Sequence, residues 1–142
     1  MSSYNTKTIK YLQSINHMVQ LTETWNHFSK KKKDLFGFCD CIAIRGGKSP
    51  SLIMAQLTSR SNVSTRYRKI TDSIDKDGNI NPIPERAKIW LSIPNTRILI
   101  FGWDNPKPIG KTGVNKECRI LEICLDNDNK LFKRELKLDD IN

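Results

Sequence analysis

Two apolar stretches joined by a short turn constrain the fold of this chain more than any other feature. Residues 35–45 are LFGFCDCIAIR, residues 51–58 are SLIMAQLT, and Gly46-Gly47 followed by Lys48-Ser49-Pro50 separates them. Both stretches have the length and apolar content of buried strands, and the composition between them is typical of a turn. The sequence therefore predicts a β-hairpin over residues 35–58.

Polar residues interrupt both predicted strands. Because side chains of a strand alternate between its faces, Asp40 shares a face with Phe38, and Gln56 shares a face with Thr58. A carboxylate among apolar residues is costly unless it is paired or bound to a metal. Pairing the strands brings Asp40 and Gln56 together, and with the main-chain carbonyl of Leu57 they offer oxygen ligands for Mg²⁺ or Mn²⁺. The alternative is that Asp40 caps a turn or pairs with a lysine at a strand end.

The remaining pattern predicts one α+β (or α/β) domain around a mixed sheet. The predicted elements are a helix over 5–15, a strand over 17–25, a solvated loop over 26–33, a helix from 61 or 62 to 73, a loop over 75–84, a helix over 85–93 and a buried strand over 97–103. A Pro/Gly-rich connector over 104–116 leads to a C-terminal hairpin of 117–125 and 130–138. We expect residues 1–103 to form the core domain and residues 104–142 to pack on it as an extension.

The charge of the chain favours an anionic partner. It has 24 Lys and Arg against 15 Asp and Glu, a net charge of +9, and nucleic acid is the usual partner of such a protein. There is no apolar run near 18 residues and no signal-like segment, so we expect a soluble cytoplasmic protein with no membrane partner. The four cysteines lack zinc-site spacing, which predicts reduced thiols. A weaker alternative is a small interaction protein whose charge only aids solubility.

Basic residues flank the predicted hairpin on both sides. The lysine run 30–33 precedes it, and a basic segment that begins a helix follows it. Near a phosphodiester these residues would bind the DNA backbone without sequence preference, whereas in the alternative reading the lysine run is a solvated loop. The predicted nucleic-acid-binding residues are Lys31, Lys32, Lys33, Arg60, Asn62, Arg66, Arg68 and Lys69.

The core segment resembles a family of nucleases. GFCDCIAI, a glycine turn and SLIMAQLTSRSNVSTRYRKI are similar to the core of the PD-(D/E)XK nuclease superfamily, near the archaeal-type Holliday junction resolvases and their phage relatives. The resemblance covers about residues 5–103 and implies a restriction-endonuclease-like αβββαβ core with Mg²⁺-dependent hydrolysis of DNA. It matches the metal-binding aspartate to Asp40 and the (E/Q)xK motif to Gln56-Leu57-Thr58. A phage-encoded protein acting in a host cell is the setting that it suggests.

The sequence departs from that family at two positions. Thr58 stands where the family has a lysine, and residues 2–17 contain no acid that could match a first-helix glutamate. The implied catalytic residues are Asp40, Gln56, Thr58 and Lys69. Displaced cations could be Lys69, Arg66 or Arg60, with Lys33 a weaker candidate, and Asp34 or Glu23 could supply a second acid. We expect a metal-dependent DNA endonuclease, homodimeric if it resolves two-fold junctions; the alternative is a nuclease-fold DNA-binding protein with weak or no catalysis.

Overall fold

A mixed six-stranded sheet organises the chain in the computed structural model, which describes residues 3–104 and 118–141. The described strands are, in chain order, β1 (Met18–Leu21), β2 (Thr24–Asn26), β3 (Lys31–Lys33), β4 (Cys41–Arg45), β5 (Ser51–Ser59), β6 (Thr96–Trp103), β7 (Cys118–Leu125) and β8 (Leu131–Leu136). The large sheet has the order β1-β4-β5-β6-β7-β8, and β2 pairs with β3 in a separate small sheet. Within the large sheet, β5 and β6 are parallel and the other neighbours are antiparallel.

Helices cover both faces of the large sheet. They are α1 (Ser3–Ser14), α2 (Val63–Thr71), which follows a 3₁₀ turn over Arg60–Asn62, and α3 (Ile83–Leu91). Alternation along β5 sends Ile53, Ala55 and Leu57 into a core with α1, and Met54 into the opposite core with α2 and α3. This confirms the predicted α+β fold around a mixed sheet. None of the described helices is long and apolar enough to cross a lipid bilayer.

The C-terminal hairpin extends the same sheet. β7 pairs with β6 along its length, and β8 pairs with β7 around a turn over residues 126–129. The predicted buried strand over 97–103 is β6, whose residues from Ile98 onwards are buried. The predicted connector lies almost entirely outside the described residues.

The predictions of the first strand and of the loop after it are wrong in part. Residues 17–25 divide into β1 of the large sheet and the start of β2, while β2 and β3 form a hairpin where a loop over 26–33 was expected. Every residue of β2 and β3 is exposed. Because both strands of this hairpin are exposed, no buried–exposed alternation marks it in the sequence.

The second predicted strand starts later than expected. Residues 34–39 form a compact turn in which Leu35 and Cys39 hydrogen-bond to each other. Phe36 (φ 54°) and Gly37 (φ 84°) both adopt left-handed backbone, which ends an extended strand. The apolar side chain of Phe38 instead packs in the core with α2 and α3. Asp40 therefore lies at the start of a strand and not in its middle.

Candidate metal centre

Backbone and side-chain hydrogen bonds fix Asp40 between β1 and β5. Its N–H donates to the Ala55 carbonyl (2.8 Å), and its carbonyl accepts from the Thr22 N–H (2.9 Å). Its carboxylate Oδ2 accepts from the Leu57 N–H (2.8 Å) and from Gln56 Nε2 (2.7 Å). The contact between Asp40 and Gln56 that strand pairing predicts is therefore present.

Two oxygen atoms of this pair are buried without a partner. Asp40 is 4% exposed and Gln56 is 2% exposed. Asp40 Oδ1 and Gln56 Oε1 have no hydrogen-bond donor in the described part of the chain. A buried acceptor left unsatisfied costs about 1–3 kcal/mol, and more when it is charged. The pair thus has the capacity to accept a proton or a cation.

Two further carboxylates complete an acidic cluster with Asp40. Oxygen atoms of Glu23, Asp34 and Asp40 lie within 4.8 Å of one another. Glu23 directly precedes β2 and Asp34 directly follows β3, so the pairing of Thr24 with Lys33 holds the two acids side by side. Each had been considered as a second acid. Nothing in the sequence indicates that the two acids lie together, because their proximity depends on a hairpin without an apolar pattern.

The environment of Asp40 disfavours its ionised form. Burial raises the pKa of Asp40 to about 8, and the neighbouring Asp34 and Glu23 act in the same direction, against the lowering effect of the Leu57 N–H. The pKa therefore lies several units above the usual value of an aspartate. Such a shift is typical of a buried carboxylate beside other carboxylates, and it marks functional-site candidates.

Two lysines border the acidic cluster. Lys32 Nζ lies 3.1 Å from Glu23 Oε1, and Lys69 Nζ lies 3.3 Å from Asp34 Oδ2. Lys69 belongs to the last turn of α2, and its side chain is 38% exposed. Both lysines were predicted site residues. Each holds a positive charge at the solvent side of the carboxylates.

The other predicted residues are distributed around this centre. Thr58 is buried (4% exposed) and follows Leu57 on β5. The Leu57 N–H contacts Asp40; because the N–H and C=O of a strand residue point to the same side, its carbonyl faces that side too. Among the remaining predicted DNA-binding residues, only Arg66 on α2 is partly exposed. The others are exposed on β3, before α2 or on α2: Lys31, Lys33, Arg60, Asn62 and Arg68. Arg60 also lies 3.8 Å from Asp104 Oδ1.

The donor set fits a hard divalent cation. The side chains that converge are three carboxylates, whose oxygens are of the kind that Mg²⁺ and Mn²⁺ prefer, and the amide of Gln56, which donates from Nε2 to Asp40. Asp40 Oδ1 and Gln56 Oε1 are buried and lack a hydrogen-bond partner among the described residues. A cation bound among the three carboxylates would offset their mutual repulsion.

Comparison of the chain with models of protein families, with curated proteins and with solved structures finds no match. The function is therefore inferred from the geometry of the site.

Proposed function

We propose that the protein is a metal-dependent DNA endonuclease or junction-resolving nuclease that hydrolyses phosphodiester bonds. The observation that supports this most is the pair of buried, unpartnered oxygens on Asp40 and Gln56 beside the carboxylates of Glu23 and Asp34. Lysines at the rim of that cluster provide positive charge for a phosphate. Acting on DNA, the protein would work in the cytoplasm of a cell, as a phage-encoded protein would in its host.

The order of elements is consistent with a restriction-endonuclease-like core. If β2–β3 and α3 are additions to that core, then α1, β1, β4, β5, α2 and β6 follow the αβββαβ order that the resemblance implies. Asp40 directly precedes the second of these core strands, and Gln56-Leu57-Thr58 lies near the end of the third. We therefore assign the chain, as a proposal, to the PD-(D/E)XK superfamily.

The residues of the centre have separate roles in this proposal. Asp40, Glu23, Asp34 and the Gln56 amide oxygen would hold Mg²⁺ or Mn²⁺, with the Leu57 carbonyl as a further ligand. When bound, such a cation lowers the pKa of a bound water and neutralises charge on the scissile phosphate. The Leu57 N–H keeps the Asp40 carboxylate in a fixed orientation.

Lys69 takes the role of the missing motif lysine in this proposal. Thr58 carries no charge and is buried, whereas the Lys69 ammonium already lies 3.3 Å from a carboxylate of the centre. From α2 it would contact a non-bridging oxygen of the scissile phosphate and stabilise the charge that develops there. Arg66 and Arg68 on the same helix, with Arg60 and Asn62 before it, would bind flanking phosphates.

A cleavage assay tests the proposal. Labelled duplex, flap and four-way junction DNA would be incubated with Mg²⁺, Mn²⁺ or EDTA and with wild-type protein, Asp40→Ala or Asp77→Ala, the last removing an exposed aspartate outside the site. We expect metal-dependent cuts by wild type and Asp77→Ala, and none by Asp40→Ala, which should still bind DNA. Full activity of Asp40→Ala would contradict the mechanism. A four-way junction cut symmetrically would further predict a homodimer in light scattering.

The second candidate function is a nuclease-fold protein that binds DNA with weak or no catalysis. The buried Thr58 at the position of the motif lysine favours it. Thermal unfolding with increasing Mg²⁺ distinguishes the two, because a ligand that binds the folded state raises the melting temperature. We expect a rise for wild type that is absent in Asp40→Ala. Equal melting curves with and without metal, together with DNA binding, would favour the second candidate.

A further inference from the structure

The hairpin β2–β3 extends from the candidate metal centre itself. We call residues 24–33 the basic arm. Its first residue follows Glu23 and its last precedes Asp34, so both of its ends join carboxylates of the centre. Its two strands form a sheet of their own, and all six strand residues are exposed. DNA bound with a phosphate at the centre would therefore meet this arm.

The composition of the arm matches that of single-strand binding surfaces. It contains the consecutive lysines 30–33 and two exposed aromatic side chains. Trp25 is 53% exposed, and Phe28 is fully exposed. Surfaces of this kind bind nucleic acid by combining cations for the phosphates with aromatic rings on which bases stack. The positive charge disfavours a cationic partner.

The tip of the arm is structured despite its exposure. The side-chain oxygen of Asn26 accepts the N–H groups of Phe28 (2.9 Å) and Ser29 (3.2 Å), which closes the turn. Phe28 therefore extends into solvent from a defined turn. From Glu23 to Phe28 the chain spans five residues, which is at most roughly 16 Å at about 3.3 Å per residue. With DNA rising about 3.4 Å per base pair, the tip can reach at most about five base pairs from the centre.

We propose that the basic arm binds DNA where base pairing is interrupted, with Phe28 stacking on an unpaired base and the lysines of β3 contacting the adjacent phosphates. In a continuous duplex the base faces are already stacked, and inserting a ring costs unstacking energy. At a fork or junction a base face is accessible without that cost. The inference builds on the proposed nuclease function and narrows its substrate to DNA with a pairing discontinuity.

Equilibrium binding in EDTA tests the arm without any cleavage. Fluorescence anisotropy would give the Kd of wild type, Phe28→Ala and Phe132→Ala for a forked duplex and for a fully paired duplex of the same length. Phe132 is an exposed phenylalanine (44%) on β8 and serves as the matched control. We expect Phe28→Ala to weaken fork binding about tenfold and duplex binding less than about twofold. Phe132→Ala should bind both as wild type does.

A second readout reports stacking directly. A 2-aminopurine at the first unpaired position should lose fluorescence when wild type binds, and should retain it with Phe28→Ala. Because Phe28 is fully exposed, the variant should melt at the wild-type temperature. Unchanged fork affinity in Phe28→Ala, or an equal loss on fork and duplex, would overturn the inference. Binding to anionic phospholipid vesicles that depends on Phe28, without any effect on forks, would also overturn it and assign the arm to a membrane surface.

The results of these binding measurements do not depend on whether the protein cleaves DNA. Loss of fork preference in Phe28→Ala supports the proposed role of the basic arm in DNA binding even if no metal-dependent cut is found. In that case only the nuclease proposal fails. Conversely, if wild type cleaves DNA in a metal-dependent manner and Phe28→Ala binds forks as wild type does, only the proposed role of the basic arm is contradicted.

Discussion

Asp40 is the residue at which the stability of the fold and the proposed chemistry oppose each other. Its carboxylate is almost fully buried, and burial together with Asp34 raises its pKa to about 8, against 3.8 for a free side chain. Between those pH values the native state holds a proton that the unfolded state has lost. The contribution of Asp40 to stability is therefore greatest below about pH 4 and declines as the pH rises towards 8. A bound cation would reverse this decline.

Asp40→Asn is therefore expected to stabilise the metal-free protein. The amide mimics the protonated acid and can still accept a hydrogen bond from the Leu57 N–H. We expect a gain of about 2–4 kcal/mol in the free energy of unfolding at pH 8 in EDTA, shrinking towards zero near pH 4. Urea unfolding across this pH range measures it, with the exposed Asp77→Asn as control. A loss of stability at pH 8 would contradict the assigned protonation.

Lys69 is expected to be needed for turnover and not for folding. Lys69→Met should lower kcat by about 10²–10³, the usual effect of removing one group that stabilises transition-state charge. Lys88→Met is the matched control, because Lys88 forms a comparable ion pair with Glu85 (3.4 Å) on α3. Single-turnover cleavage and thermal unfolding should both be measured. Equal loss of activity in the two variants, or a lowered melting temperature in Lys69→Met alone, would argue against a catalytic role.

At the scale of the element, the basic arm combines two tasks. The pairing of β2 with β3 holds Glu23 and Asp34 together, and the same strands present lysines to solvent. The sequence predicted the lysines as DNA-binding residues but assigned them to a loop. The two strands have three residues each and are fully exposed, so they carry no hydrophobic pattern. Sequence analysis therefore could not detect the hairpin that brings the acids together.

The exposed arm lysines should determine part of the salt dependence of DNA binding. Each phosphate contact contributes about 0.9 to the slope of log affinity against log salt concentration. We expect the double variant Lys31→Ala/Lys33→Ala to reduce that slope by about 1.8. The control is Lys10→Ala/Lys48→Ala, which removes the same charge from α1 and from the β4–β5 turn. An equal reduction in both double variants would mean that only net charge matters.

At the scale of the whole molecule, a partly buried ion-pair network joins the C-terminal hairpin to the rest of the sheet. Glu122 on β7 accepts two hydrogen bonds from Arg97 on β6 (2.9 and 3.1 Å) and one from Arg134 on β8 (2.7 Å). Arg97 also donates to the carbonyl of Ile141 (2.8 Å). Burial alone would raise the pKa of Glu122, but the hydrogen bonds and charges of the two arginines outweigh it and lower the pKa.

Glu122→Gln is expected to weaken the entire fold. Removing the Glu122 charge leaves the guanidinium of the partly buried Arg97 uncompensated, which costs about 1.5–3 kcal/mol in the free energy of unfolding. Glu135→Gln, which breaks the more exposed pair with Arg119, should cost less than about 1 kcal/mol. The stabilisation by Glu122 should persist above its unfolded pKa and be lost as the pH falls through its lower native pKa. Unfolding of the hairpin in a transition separate from the core would contradict this coupling.

By itself the sequence determined the hairpin of β4 and β5, the buried strand β6, the amphipathic helices and the contact between Asp40 and Gln56. These follow from alternation, turn residues and apolar content within short windows, and each is a local property of the chain. Only the tertiary structure decided that Glu23 and Asp34 join Asp40, because an exposed hairpin and a left-handed turn at Phe36 bring them there. The hairpin that brings Glu23 and Asp34 together pairs two exposed strands, and such pairing leaves no hydrophobic pattern in the sequence.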